Sequence, residues 1–70
     1  MDKDSFISAM SDKIREYGIR AMGREIGVSQ PSINQWMEGR PSLSWEKVEA
    51  MAAVLGVRVE KTETYKIKKA

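Results

Sequence analysis

Three amide side chains stand close together in the middle of the chain: Gln30, Asn34 and Gln35. Each carries a carbonyl acceptor and an NH2 donor, a combination that suits the N6 and N7 edge of adenine in the major groove of DNA. The stretch 29–37 contains no charged residue, whereas the solvent face of an ordinary helix usually carries lysine and glutamate. These residue types therefore indicate recognition of base edges, and an ordinary polar surface is the alternative for any one amide taken alone.

Small side chains around these amides extend the same candidate surface. Ser29 and Ser32 offer hydroxyl groups that would assist in base reading, and Pro31 offers an apolar contact for a thymine methyl group. Arginines precede and follow the stretch, and we expect them to bind phosphates, which set the position of a protein on DNA without reading its sequence. The predicted phosphate-binding residues are Arg20, Arg24 and Arg40.

A short helix with two different faces must present these side chains. Ile33, Trp36 and Met37 lie at positions i, i+3 and i+4, so they share one helical face and are expected to pack into the core. Proline disfavours a helical conformation in the residue before it, so the helix is predicted to begin at Pro31, with Ser29 or Gln30 as its cap. It is expected to end near residue 38, before Gly39 and the proline at position 41.

A second short helix is predicted directly before this one, over about residues 20–26. Met22 and Ile26 are four residues apart and share its inner face. Gly18 and Gly27 are expected to end the first and second helices in the left-handed conformation that glycine adopts without strain. Gly23 weakens the helix that contains it, which is plausible where another backbone packs closely against it. Two short helices joined by a glycine turn form a helix-turn-helix.

The pattern Gly23-x-x-x-Gly27-Val28-x-x-x-x-Ile33-x-x-Trp36 resembles the helix-turn-helix of the phage Cro and repressor family. The residues at 38–41 and 53–57 extend the resemblance to roughly residues 5–57, and the short connection at 17–19 is most similar to Cro-like proteins. The resemblance implies a dimer that binds a pseudo-palindromic operator with the helix at about 29–38 in the major groove. The chain departs from the family in having Gly23 in place of alanine, Ile19 in place of a bracing glutamine, and Pro31 at a position that is often polar.

The remaining segments complete a mainly α architecture. A first helix is predicted to be capped by Asp4 or Ser5, and a fourth helix by Ser42 or Ser44. The inner face of the first helix is expected to be formed by Phe6, Met10, Ile14 and Tyr17, and that of the fourth by Trp45, Val48, Met51 or Ala52, and Leu55. The predicted fold is a small helix-turn-helix bundle of four helices over residues 1–56.

The hydrophobic period changes from helical to alternating after residue 56. Strand-forming residues alternate with charged ones in two short runs, which predicts a β-hairpin or an extended arm over 57–70 within the same domain. Because this apolar pattern exceeds what a free tail needs, the segment is the candidate dimerisation element. The predicted contacts are Val57, Val59, Tyr65 and Ile67. Its basic end, Lys66, Lys68 and Lys69, is either positive charge placed for nucleic-acid binding or a solubilising tail.

Composition limits the possible functions. The chain has 70 residues, a net charge of +2, and no cysteine or histidine, so it lacks thiolates, the usual general base and the commonest metal ligand. An enzyme is therefore the weakest interpretation, and no catalytic residue, metal, cofactor or small-molecule ligand is predicted. No apolar run reaches the roughly 20 residues of a membrane span, and no signal peptide is recognised, so we expect no membrane partner and a cytoplasmic protein encoded by a phage or bacterium.

The sequence thus predicts a sequence-specific transcriptional repressor of Cro type whose partners are double-stranded operator DNA and a second copy of the chain. An antitoxin that represses its own operon is an alternative within DNA binding, with residues 57–70 as the only candidate arm for a toxin. A protein-interaction module with the same helical fold is an alternative of another class. Salt distinguishes the two classes, because affinity for DNA falls linearly with the logarithm of salt concentration.

Overall fold

The computed structural model describes residues 1–70 and contains four helices followed by a two-stranded antiparallel hairpin. The elements are α1 (Lys3–Tyr17), α2 (Ile19–Ile26), α3 (Gln30–Met37), α4 (Trp45–Val54), β1 (Val57–Lys61) and β2 (Tyr65–Lys69). This confirms the predicted fold class. Of the two possibilities for the C-terminal segment, the hairpin is the one that forms, with Val59 opposite Ile67 at its centre.

The first helix begins earlier than the sequence suggested. The carboxylate of Asp2 accepts a hydrogen bond of 2.7 Å from the backbone N–H of Ser5, and this bond lowers the pKa of Asp2. The prediction that Asp4 or Ser5 caps α1 is therefore wrong, because an aspartate at the preceding position already satisfies a free N–H group of the first turn. Asp4 lies instead within that turn, where a negative charge is favourable.

The start of α3 differs from the prediction by one residue, whereas Ser29, one of the two predicted caps, is confirmed. The hydroxyl of Ser29 accepts a hydrogen bond of 3.3 Å from the backbone N–H of Ser32, so Ser29 is the cap and Gln30 is the first helical residue. The expectation that Pro31 excludes Gln30 from the helix is wrong. A proline in the first helical turn removes no intrahelical hydrogen bond, because the N–H groups of that turn have no partner within the helix.

The core lies between the four helices and one face of the hairpin. Its largest fully buried side chains are Phe6, Met10, Ile14, Met22, Ile33 and Met51. Trp36 is buried as predicted, and its ring meets the ring of Phe6 edge-on at a centroid distance of 6.3 Å. Tyr17 was expected on the inner face of α1 but is 42% exposed, because it is the last residue of that helix and no further turn covers it.

The turn between α2 and α3 depends on two glycines. A Cβ atom at position 23 would lie 2.8 Å from the carbonyl oxygen of Val28, so Gly23 is the residue that allows the turn to pass this close to α2. Gly27 ends α2 in the left-handed conformation, with a φ angle of 71°. Both predicted roles, the close backbone approach at Gly23 and the helix end at Gly27, are confirmed. Together they set the position of α3 against α2.

Candidate nucleic-acid interface

The outer face of α3 carries every asparagine and glutamine of the chain: Gln30, Asn34 and Gln35. All three side chains are exposed. None of them takes part in a hydrogen bond within the chain. Their donors and acceptors are therefore all available to a partner. The buried side chains of Ile33 and Trp36 hold the opposite face of the helix in the core, so the amides cannot rotate inward.

The small side chains at the start of α3 contribute mainly to its geometry. The hydroxyls of Ser29 and Ser32 lie 2.9 Å apart and form a hydrogen bond, in addition to the capping bond of Ser29. Ser32 is half-buried, whereas Pro31 is exposed. The hydroxyl of Ser29 is thus engaged by capping and that of Ser32 by its bond to Ser29, so either hydroxyl would have to read a base in addition to its internal bond. Pro31 remains free for an apolar contact.

Two polar side chains outside α3 hold the helix-turn-helix in place. The hydroxyl of Ser42 donates a hydrogen bond of 2.6 Å to the carbonyl oxygen of Ser32, which ties the α3–α4 loop to the first turn of α3. The ammonium group of Lys47 donates a bond of 2.9 Å to the carbonyl oxygen of Ile26 at the end of α2. Sequence reasoning considered Ser42 only as a helix cap and did not identify Lys47. No local pattern signals contacts of this kind, because they depend on the path of the intervening chain.

The three candidate arginines are all exposed, two of them on α2 and one after α3. Arg20 and Arg24 are four residues apart on α2 and therefore share one face of it, and neither forms a salt bridge. Arg40 lies beyond α3, where its backbone N–H donates a hydrogen bond of 3.0 Å to the carbonyl oxygen of Gln35. Its guanidinium lies 3.5 Å from the carboxylate of Glu38, and both side chains are well exposed. Such a surface pair is worth little and leaves Arg40 able to bind a phosphate.

The apolar side chains of the hairpin face the core of the chain itself. Val59 is buried, and Val57, Tyr65 and Ile67 are half-buried against the core. The ring of Tyr65 stacks on that of Phe6 at a centroid distance of 4.9 Å. The side chain of Val59 is thus already used for internal packing, and the contribution of all four residues to a dimer stays a prediction.

The outer edge of β2 is partly free in its backbone. The backbone N–H of Thr62 donates to the carbonyl oxygen of Thr64, and that of Ala70 donates to the carbonyl oxygen of Gly56. Because hydrogen-bonded and non-hydrogen-bonded pairs alternate along an antiparallel ladder, the N–H and C=O groups of the odd-numbered residues of β2 point away from β1, toward the outer edge. The main-chain groups of Tyr65 on that edge exchange two hydrogen bonds of 2.8 Å with Met1. Those of Ile67 and Lys69 have no partner, so a second strand could pair there.

Other kinds of site are not evident. No group of three or more histidine, cysteine, aspartate or glutamate side chains is placed to hold a metal ion. A membrane-spanning helix is also absent, since no helix combines the necessary length and apolarity.

A family model described as a helix-turn-helix domain matches residues 15–64, which is most of the chain. The matched region runs from the end of α1 through α2, the turn, α3, α4 and β1. It therefore includes the whole candidate interface. Comparison with curated proteins and with solved structures finds no match.

Proposed function

The chain belongs to the helix-turn-helix domain family, and from this premise we propose that it is a sequence-specific transcriptional repressor of Cro type. Family membership indicates a DNA-binding regulator and is typical of proteins without enzymatic activity. The observation that supports sequence-specific binding is the outer face of α3, which carries all three amide side chains of the chain in an exposed and unpaired state. Amides in that state suit base edges of the major groove.

In the proposed complex α3 lies in the major groove. Gln30, Asn34 and Gln35 read base edges, with Ser29, Pro31 and Ser32 beside them at the start of the helix, where side chains of a recognition helix approach the bases. Arg20, Arg24 and Arg40 bind phosphates and set the register. Arg40 is suited to this because its backbone is hydrogen-bonded to the end of α3, so a phosphate contact there fixes the helix in the groove.

A second copy of the chain is part of the proposal. Two recognition helices on one face of the duplex must lie about 34 Å apart, whereas the longest dimension of one subunit is 29 Å. One subunit therefore reads a single half-site. The free edge of β2 is the proposed contact, with Val57, Tyr65 and Ile67 around it and Val59 supporting the strand from within. Pairing of the two edges would join the hairpins into one sheet.

Repression in this proposal is steric, because a dimer on an operator excludes polymerase from an overlapping promoter. The proposal includes no cofactor and no inducer. The proposed location of the protein is the cytoplasm of a bacterial cell, where the operator DNA is, whether a phage or the bacterium encodes it.

Selection of binding sites from random duplex DNA tests the proposal. We expect enrichment of a pseudo-palindrome whose half-sites lie about one helical turn apart and contain A·T pairs opposite the amides. Affinity for the selected site should fall linearly with the logarithm of salt concentration. Failure to enrich any sequence would contradict sequence-specific binding, and enrichment of a single unpaired half-site would contradict the dimer.

A further inference from the structure

A narrow groove lies on the side of the molecule where α1 begins, α3 ends and the hairpin packs. Its volume is about 180 Å³, and the residues that line it include the aromatic Phe6, Trp45 and Tyr65. Three cationic side chains line it as well: Lys3 from α1, Arg40 from the α3–α4 loop and Lys61 from β1. No aspartate or glutamate is among the lining residues. The groove thus combines an apolar interior with an exclusively positive charge.

The charge of the groove is not neutralised within the chain. Lys3 and Lys61 form no salt bridge, and the pair of Arg40 with Glu38 is solvent-exposed on both sides. Glutamates and aspartates of an incoming segment would meet Lys3 and Lys61 without displacing an internal partner, and at Arg40 they would compete only with the exposed carboxylate of Glu38. Charge complementarity of this kind favours an anionic occupant and excludes cationic ones.

The aromatic rings of the groove are already in contact with each other and with a cation. Phe6 stacks on Tyr65, and the ammonium group of Lys61 lies 5.7 Å from the centroid of the Trp45 ring. A nucleobase of single-stranded DNA binds chiefly by stacking on a free aromatic face, and these contacts occupy one face each of Tyr65 and Trp45. An apolar side chain, which needs only a dry concave surface, fits the groove better.

The volume of the groove limits the size of the ligand that it can bind. Sites for small molecules and cofactors usually measure about 300–1,000 Å³. At about 180 Å³ the groove is smaller and has room for one large side chain. Insertion of a single apolar anchor into such a pocket, surrounded by weaker polar contacts, is the usual arrangement at a protein–protein contact.

We propose that this groove binds an acidic segment of a partner protein that inserts one large apolar side chain between the hairpin and the start of α1. The carboxylates of the segment bind Lys3, Arg40 and Lys61, and the apolar side chain packs on Trp45 and Tyr65. The site shares Arg40 with the proposed phosphate contacts and Tyr65 with the proposed dimer contact but includes none of the amides of α3, so this inference does not depend on base reading by them.

Titration of the full chain with labelled peptides tests this inference. The probe is a fluorescein-labelled nonapeptide of aspartate and glutamate with one central leucine, and its control carries alanine at the centre. We expect the leucine peptide to bind about tenfold more tightly, since it buries an apolar side chain that the control lacks. Binding should also shift the indole N–H resonance of Trp45.

Charge reversals at the rim provide the matched variants. Lys3→Glu and Lys61→Glu should each weaken the leucine peptide about fivefold, whereas Lys13→Glu, the same change at an exposed site on α1 away from the groove, should weaken it less than twofold. Lys3→Glu is safe for folding because an acidic residue in the first turn of a helix is favourable. Equal melting temperatures of the variants confirm this.

Several results would overturn the proposal. Equal affinity for the leucine and alanine peptides would show that no side chain enters the groove, and equal weakening by Lys13→Glu would show only nonspecific attraction. If indole-3-acetate binds at the same residues more tightly than the leucine peptide, the groove is a small-molecule site. Tighter binding of a ten-nucleotide oligothymidylate, lost in the Lys3 and Lys61 variants, would identify single-stranded nucleic acid as the occupant.

Discussion

The outer face of α3 and the apolar face of the hairpin both carry residue patterns that point to a partner, yet the fold uses them in opposite ways. The amides of Gln30, Asn34 and Gln35 stay exposed and unpaired. The side chains of Val59 and Tyr65 instead turn inward, where one is buried and the other stacks on a core ring. The difference shows that an apolar pattern is first satisfied by the chain's own core, whereas amides without an internal partner remain available to bind.

The backbone of the hairpin, unlike its apolar side chains, remains available to a partner. The unpaired main-chain groups of Ile67 and Lys69 on the outer edge of β2 can bind a strand without removing any side chain from the core. The two regions therefore differ in the kind of contact as well as in exposure. The outer face of α3 can discriminate between partners through side-chain donors and acceptors, whereas the strand edge can pair with any backbone of suitable register.

The largest effect should come from the buried side of α3. Trp36→Ala removes a large side chain that is 7% exposed and in contact with Phe6, so it should lower the free energy of unfolding by about 3–5 kcal/mol. Chemical denaturation followed by circular dichroism measures this. Asn34→Ala, on the exposed side of the same helix, is the control and should change it by less than about 0.5 kcal/mol. Similar losses in both variants would contradict the two-faced arrangement of α3.

The next effect concerns the exposed side of α3 and appears in binding. Gln35→Ala should cost about 1–3 kcal/mol on the selected DNA site and relax the base preference at one symmetric pair of positions. Its melting temperature should equal that of the unmodified protein, because the amide has no partner within the chain. If specific and random DNA lose affinity equally, the amide does not read bases and the repressor proposal fails, although the fold stands.

A smaller loss of stability should come from the hairpin. Val59→Ala removes two buried methyl groups and should lower the free energy of unfolding by about 2 kcal/mol, at every protein concentration. Lys66→Ala, at an exposed position of the partner strand, is the control and should have almost no effect. A loss of stability that appears only at concentrations where the protein sediments as a dimer would place Val59 in the dimer interface. The apolar side chains of the hairpin, like the amides of α3, would then bind a partner.

The smallest expected effect is on the salt dependence of DNA binding, which distinguishes an arginine that contacts phosphate from one that does not. Arg40→Ala should weaken binding to all DNA sequences and make the slope of log affinity against log salt shallower by about one unit. Arg58→Ala, which removes an exposed arginine from the hairpin, should leave the slope unchanged. A larger change in slope for Arg58 than for Arg40 would mean that the hairpin, not the end of α3, contacts the duplex.

Much of the architecture could be predicted because it rests on local signals. The spacing of Ile33 and Trp36 indicated which side of α3 is buried, and Gly27 marked the end of α2. Helix starts were less accurate, since Asp2, Asp4 and Ser5 are all acceptable caps by type and only the hydrogen bond to the N–H of Ser5 decides between them. The candidate amide face was available from the sequence because it needs only helical periodicity.

The sequence by itself determined the two faces of α3, the glycine turn before it and the alternation in the hairpin, because each follows from the local pattern of a single element. The tertiary structure alone decided which residues of other elements pack against each helix and strand. It turned the side chain of Val59 into the core, joined Ser42 to Ser32 and Lys47 to Ile26, and brought Lys3, Arg40 and Lys61 around one groove. These residues lie in separate elements, and their proximity depends on how the whole chain packs, which no local period encodes.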